Sequence, residues 1–154
     1  MPMIRWLLPS LALLAGCAGG RGVDVETVLA WDRCEGLRPG LTRVDLAALA
    51  GIRGTTLLGA PARPATPAAG DGLLLIAVSR GDQPTPGYGL SLQSARLDGA
   101  TAVLELNWQT PEPGAMLAQV ITHPCLVVGI ANAAGIGRVE AVDQHGKRLG
   151  GVDL

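Results

Sequence analysis

The stretch GLSLQSARLDGATAVLELNWQ, residues 89–109, carries the clearest structural signal in the chain. Apolar and polar residues alternate on both sides of Asp98-Gly99, a dipeptide that strongly favours a tight hairpin turn. In the second half one parity is apolar, with Ala102, Leu104, Leu106 and Trp108, and the other carries the polar residues Thr101, Glu105 and Asn107 together with Val103. This pattern predicts an antiparallel hairpin with one face on a core and the other in water.

Upstream of this hairpin, residues 73–79 (LLLIAVS) form a continuous apolar run. A run of this length is typical of a strand buried on both faces, so we expect it at the centre of a sheet. Weaker patterns predict further strands at 23–31, 118–122, 126–130 and 138–143, the last forming a hairpin or a frayed edge with the HGKRLGG segment.

One segment between these strands has a different period. Residues 41–44 are expected to pair back on the first strand, and residues 45–50 (DLAALA) are expected to form a short helix with Thr42 as its cap. The predicted fold class is therefore mainly β: a small antiparallel β-sandwich or partly open barrel with one short helix.

Composition limits both the size and the partners of this domain. A length of 154 residues suits one domain, placed at 23–154, and the Pro/Ala-rich stretch 59–72 is expected to be an exposed loop. The net charge of −1 offers no basic face, so no nucleic acid partner is expected. Since aromatic residues make up 3% and Phe is absent, the core must consist of Leu, Val, Ile and Ala.

The N-terminus resembles a lipoprotein signal. Arg5 precedes an apolar stretch that is too short to span a bilayer and that ends in Leu14-Ala15-Gly16-Cys17, which is similar to the lipobox of bacterial lipoproteins. The resemblance implies a signal peptide at 1–16 that is removed, lipidation of Cys17, and a flexible tether at 17–22. Ala18 and Gly19 resemble the residues that follow the cysteine in outer-membrane lipoproteins, so the resemblance implies the periplasmic face of the outer membrane. An ordinary secretory signal cut after Ala18 is the alternative.

Two cysteines remain in the exported chain, Cys34 and Cys125. In an oxidising compartment they are candidates for one disulfide, which would stabilise a core short of aromatic residues. Two buried free thiols are the alternative, because the sequence alone does not show whether the two side chains are within reach.

The order of motifs between residues 81 and 130 resembles the C-terminal domain of the PrcB family, which comprises lipoproteins of protease complexes. The features that carry the resemblance are Gly87-Tyr88 opening a strand, the Asp98-Gly99 hairpin, the turn residues Thr110-Pro111 and Pro113-Gly114, and the step Thr122-His123-Pro124. Two positions depart from the pattern: Pro86 replaces a small residue, and Cys125 stands where an aromatic residue is typical.

The resemblance implies a lipid-anchored, non-catalytic accessory subunit that assembles or stabilises an exported protease complex, with the membrane and an exported protease as partners. The residues themselves show no nucleophile elbow, no phosphate loop and no His-Glu-x-x-His helix. The histidines and cysteines lack the ligand spacing of a metal site, so we expect no catalytic residues, no metal and no cofactor.

The segment Pro84-Thr85-Pro86-Gly87-Tyr88 is the candidate binding loop. It is similar to the Asn-Pro-Thr-Thr-Gly-Tyr loop of chagasin-type protease inhibitors, with Gln83 at the Asn position, although a companion Arg-Pro-Trp loop is not evident. A chagasin-like inhibitor presenting residues 83–88 is therefore the alternative function. In the favoured interpretation Tyr88 anchors the loop, with its ring over the sheet and its hydroxyl bonded to loop backbone.

Overall fold

The computed structural model describes residues 22–45, 47–49 and 73–154. The predicted signal peptide 1–16, the lipidation site Cys17 and the loop 59–72 lie outside these residues. Within them, no helix is both long enough and apolar enough to cross a membrane.

The described residues form two four-stranded sheets, which confirms the mainly β prediction and fits a small β-sandwich. One sheet has the order β1-β6-β3-β2 and the other has the order β4-β5-β7-β8. The strands are β1 Val25–Trp31, β2 Gly40–Val44, β3 Leu74–Ser79, β4 Gly89–Asp98, β5 Thr101–Gln109, β6 Cys125–Ile130, β7 Arg138–Asp143 and β8 Arg148–Asp153.

The hairpin predicted from residues 89–109 is present as β4 and β5, with Asp98 opposite Thr101. The pairing of β5 with β7 is parallel, however, and so departs from the purely antiparallel expectation. The parallel pairing follows from the path of the chain. After β5, the chain crosses to the other sheet and forms β6, which ends at the same end of the sandwich as the start of β5. Strand β7 therefore starts beside Thr101 and runs in the same direction.

Strand β2 is present, but its predicted partner is wrong. Residues 40–44 pair with β3 instead of β1, and β1 pairs with β6 at the opposite edge of the same sheet. Strand β3, buried along its whole length, takes the central position expected for residues 73–79. Strands β3 and β6 therefore lie between β1 and β2, which follow each other in the sequence.

The strand predicted at 118–122 is also wrong. This segment lies outside the sheets, and only Thr122 forms a bridge, to Gln83. Val120 and Ile121 are exposed, so the apolar pattern of the segment reflects no buried sheet face.

The short helix falls partly on residues that the structure does not describe, with 47–49 helical. Its cap is Asp45 and not Thr42, which lies in β2. The Ala48 backbone N–H donates to Oδ1 of Asp45 at 2.6 Å, which is the hydrogen bond of an N-cap residue to the N3 position.

The main core lies between the two sheets and is aliphatic, as the composition requires. Its buried members are Leu74, Ile76, Val78, Leu90, Ala102, Leu104, Leu106, Leu126, Val128, Ile130, Val139 and Ala141. A smaller cluster on the outer face of the first sheet comprises Val28, Leu49, Leu75, Ala77 and Val127, so β3 and β6 are covered on both faces.

The strand directions give the sandwich two different ends. At one end, which we call the loop end, lie four connections: 32–39, 80–88, 110–124 and 144–147. The opposite end, which we call the terminus end, holds the Asp98-Gly99 turn and both described chain ends, since Gly22 bridges to Arg96 and Leu154 donates to Gly137.

Candidate interaction site at the loop end

Two connections at the loop end are joined to each other. The first, 80–88, leads from β3 to β4, and the second, 110–124, leads from β5 to β6. Gln83 and Thr122 exchange backbone hydrogen bonds of 2.8 and 2.9 Å, and the Thr122 hydroxyl donates to the Thr85 carbonyl at 3.2 Å. Each connection therefore holds the other in place.

A disulfide ties a third connection to this pair. Cys34 and Cys125 are joined, with their Cα atoms 5.9 Å apart and both residues buried, so of the two sequence alternatives the structure contains the bridge. Backbone hydrogen bonds run from Cys34 N–H to the His123 carbonyl at 2.9 Å and from His123 N–H to the Asp32 carbonyl at 2.7 Å. Segment 32–39 is thereby fixed against the start of β6.

The predicted binding loop is only partly exposed. Pro84 and Gly87 face solvent, whereas Thr85, Pro86 and Tyr88 are half-buried. Gly87 has φ of 94°, and a Cβ at this position would lie 3.2 Å from Cγ of Pro111. Glycine is thus required both for the backbone conformation and for the close approach of the second connection.

The ring of Tyr88 packs on Arg80, a contact that the sequence did not indicate. Its ring centroid lies 5.0 Å from the guanidinium carbon of Arg80, and the Trp108 ring lies 4.1 Å from the same carbon. A guanidinium over an aromatic ring is attracted to it by a cation–π interaction. Within the described residues we find no hydrogen bond of the Tyr88 hydroxyl, so the observed contact of this side chain is the one its ring makes with Arg80.

Arg80 is held by the backbone as well as by the two rings. Its Nη1 donates to the carbonyls of Gly89, at 3.4 Å, and of Gln109. The Nε atom is buried and has no partner within the described chain. Burial lowers the pKa of Arg80 from its ordinary value, which the neighbouring Tyr88 partly opposes.

The most exposed apolar side chains lie on the second connection, where the sequence predicted a strand. Met116 is fully exposed, Val120 is 56% exposed and Ile121 is 63% exposed. We call these three side chains the apolar loop surface. The sequence does carry one indication of this exposure. The TPEPG turn at 110–114 ends β5, so the apolar residues that follow it belong to a loop.

One polar side-chain pair lies at this end. His123 Nδ1 and Asp82 Oδ1 are 3.0 Å apart, and the Asp82 side chain is largely in solvent. In the described ranges no three His, Cys, Asp or Glu side chains are grouped as metal ligands would be. The loop end brings together exposed apolar side chains on a braced backbone, an arrangement suited to protein contact.

The fold and this end together define a small two-sheet β domain that presents fixed loops at one end. Comparison with protein families agrees with the motif order: residues 74–131 match the family described as PrcB C-terminal. The match confirms the resemblance and runs from the start of β3 to the residue after β6. No curated protein and no solved structure matches the chain.

Proposed function

We propose that the protein is a lipid-anchored, non-catalytic accessory subunit that assembles or stabilises an exported protease complex at the bacterial cell envelope. The observation that carries the proposal is the apolar loop surface, Met116, Val120 and Ile121, exposed on a segment that the family match includes. The family description supports the association with a protease complex.

Exposed apolar side chains on a braced loop favour binding for an energetic reason. Association costs less when the contacting segment is already ordered. Here the backbone pairing of Gln83 with Thr122 and the Cys34–Cys125 bridge fix the end of the segment, directly after Ile121, before a partner arrives. The three side chains contribute to affinity when a partner removes them from water.

The position of the predicted anchor fits this role. A lipid on Cys17 is separated by a few residues from Gly22, which bridges to Arg96 near the terminus end. The apolar loop surface lies at the other end of β4, so an anchored domain would direct it away from the bilayer, on the periplasmic face of the outer membrane. These three side chains would therefore face a protein partner and not the membrane.

The test is affinity purification of the full-length protein from its native membranes in mild detergent. Three baits are compared: wild type, the triple variant Met116→Ser, Val120→Ser and Ile121→Ser, and a matched control at the terminus end with Asp98→Asn, Ala100→Ser and Ala134→Ser. All six positions are exposed, so both variants should fold as the wild type does. Mass spectrometry then identifies the co-purified proteins and the mass of the N-terminal peptide.

We expect a stoichiometric exported protease with the wild type and the control, loss of this protease with the loop variant, and an acylated Cys17. Equal recovery with both variants would place the contact elsewhere. A bait that returns without a protease would contradict the accessory role, and an N-terminal peptide without acyl chains would contradict the anchor.

The inhibitor alternative retains one favourable observation, which is that Pro84 and Gly87 are exposed at the tip of the 83–88 loop. Tyr88 is not presented in the same way, because its ring packs on Arg80. Incubation of the full-length protein with papain separates the two functions. Inhibition that disappears in Gly87→Ala would support the inhibitor, and full protease activity would exclude inhibition of that enzyme.

A further inference from the structure

A cleft opens between the two sheets at the loop end, on the side where β2 and β8 form the sheet edges. It encloses about 220 Å³. The walls come from both sheets and are mainly apolar, and among the described residues that line them Arg80 is the only ionisable one: Pro39, Gly40, Leu41, Val78, Ser79, Arg80, Trp108 and Leu149. We call this the Arg80 cleft. The apolar loop surface is not part of its lining.

The charge of Arg80 has no counter-ion within the described chain. The arginine ion pairs found there involve other residues: Arg96, Arg138 and Arg148. Nη1 is bonded to two carbonyls, while we find no hydrogen bond from Nη2 to another described residue. A partly buried cation without an anion costs solvation free energy, which a bound anion would recover.

The two rings also prepare the guanidinium for a ligand. The guanidinium carbon lies 5.0 Å from the Tyr88 ring centroid and 4.1 Å from the Trp108 ring centroid. These contacts restrict the side chain, so less entropy is lost when an anion binds. A carboxylate carries one negative charge, which one arginine balances, and its oxygens accept hydrogen bonds of the kind that Nη2 can donate. A phosphate would bring about two charges into a cleft with a single cation, and it therefore fits less well.

The size of the cleft selects the kind of molecule. Pockets for whole drug-sized ligands enclose about 300–1,000 Å³, so this smaller cleft suits a single end group. The mainly apolar walls favour an aliphatic group, and Arg80 among the lining residues favours a carboxylate beside that group. The C-terminal residue of a polypeptide with an apolar side chain combines both features.

We propose that the Arg80 cleft binds the free C-terminus of a polypeptide, with the last side chain between the sheets and the terminal carboxylate on Arg80. This site is independent of the accessory role argued above, since the residues of the apolar loop surface do not contribute to it. It gives the domain a second means of contact, which recognises an end of a chain and not a folded surface.

The experiment measures fluorescence anisotropy of labelled peptides with the full-length protein in a non-ionic detergent. The probe is fluorescein-Gly-Ser-Gly-Ser-Leu with a free carboxylate. The comparison ligands are the same peptide as a C-terminal amide, the peptide ending in Asp, free leucine and decanoate. We expect the free acid to bind. The affinity of the amide should be lower by about tenfold or more, because it lacks the carboxylate for Arg80, and that of the Asp-ending peptide should fall similarly, because its side chain does not match the apolar walls.

Two variants test the site itself. Arg80→Gln should lower the affinity for the free acid by about tenfold and leave the weak affinity for the amide unchanged, because only the acid pairs with the charge of Arg80. Leu149→Trp keeps Arg80 but fills the cleft, so it should also abolish binding even if Arg80→Gln fails to fold. The matched control Arg96→Gln, at an exposed arginine near the terminus end, should bind as the wild type does.

Equal affinity for acid and amide, or full binding by Leu149→Trp, would overturn the proposal. Tight binding of decanoate with none of the peptides would assign the cleft to free fatty acids instead, and tight binding of free leucine alone would assign it to amino acids. Failure of all ligands overturns the site without affecting the accessory role, which the native-membrane purification tests separately.

Discussion

Tyr88 is the single tyrosine of a chain without phenylalanine, and its ring makes a cation–π contact with Arg80. Its hydroxyl makes no hydrogen bond to the described residues, so the ring alone should stabilise the loop end. We expect Tyr88→Phe to change the free energy of unfolding by less than about 0.5 kcal/mol and Tyr88→Ala to lower it by about 1–3 kcal/mol. Urea unfolding monitored by circular dichroism measures both changes.

A loss in Tyr88→Phe as large as that in Tyr88→Ala would show that the hydroxyl has a structural partner after all. Wild-type stability in both variants would show that the loop is held without the ring, through Gln83 and Thr122 alone. The second result would also make Tyr88 a free contact residue for a partner.

The structural importance of Tyr88 could be inferred from the sequence, but its partner could not. Gly87-Tyr88 before an alternating run is a local pattern, and local patterns are visible along the chain. Arg80 lies eight residues earlier, and Trp108 lies on the next strand, so these contacts form only after β3, β4 and β5 have come together. The same limit applies to the Arg80 cleft, whose walls come from both sheets.

At the scale of elements, the Cys34–Cys125 bridge fixes segment 32–39 to β6 and closes a separation of 91 residues. Cross-links over such distances stabilise by restricting the unfolded chain. We expect the double variant Cys34→Ala and Cys125→Ala to lose about 2–5 kcal/mol of the free energy of unfolding. Denaturant unfolding with and without dithiothreitol measures this, and the double variant should not respond to the reductant.

The contradicting result is a wild type whose unfolding midpoint is unchanged by dithiothreitol although mass spectrometry after alkylation shows both thiols reduced. In that case the backbone hydrogen bonds between Cys34, His123 and Asp32 would suffice to hold the segment.

The β7–β8 hairpin carries a titratable pair that makes its stability depend on pH. A hydrogen bond from Arg138 lowers the pKa of Glu140 below its ordinary value of 4.5; burial opposes this shift and Arg148 adds to it. Because the folded pKa is below the unfolded one, the stabilising contribution is present above pH 4.5 and is lost as the pH falls through the folded value.

We therefore expect the thermal midpoint of the wild type to fall between about pH 6 and about pH 3, and to fall by less in Glu140→Gln, which cannot lose this charge. Calorimetry at several pH values measures the two profiles. Glu105→Gln is the matched control, since Glu105 pairs with Arg96 at a more exposed position and should leave the profile close to that of the wild type. Parallel profiles for wild type and Glu140→Gln would contradict the assignment.

Elements differ in how well the sequence predicts them. Strands β3 and β6 and the β4–β5 hairpin follow from residue patterns, because buried runs and alternation are local consequences of sheet burial. The parallel pairing of β5 with β7 and the placement of β2 beside β3 depend on which sheet each strand joins. For the segment 118–122 the pattern predicted a strand that is not there, because its apolar side chains Val120 and Ile121 are exposed at the loop end and are not buried in a sheet.

At the scale of the whole molecule, the sandwich has an end for attachment and an end for contact. Both described chain ends lie near the Asp98-Gly99 turn, whereas Arg80, Tyr88 and the apolar loop surface lie at the loop end. Ten residues of β4 separate the two, about 30 Å at the usual rise per residue. The proposed lipid on Cys17 would therefore hold the domain with its contact surface outward.

This orientation predicts a difference in distance from the bilayer. The full-length lipidated protein is reconstituted into vesicles that contain an acceptor lipid dye, with a donor dye on Asp98→Cys or on Met116→Cys, both at exposed positions. We expect stronger energy transfer from position 98 than from position 116, because the terminus end lies next to the tether. The additional change Cys17→Ser should abolish transfer from both positions by removing the anchor. Stronger transfer from position 116 would instead turn the apolar loop surface toward the lipid, and equal transfer would mean that the short tether does not orient the domain.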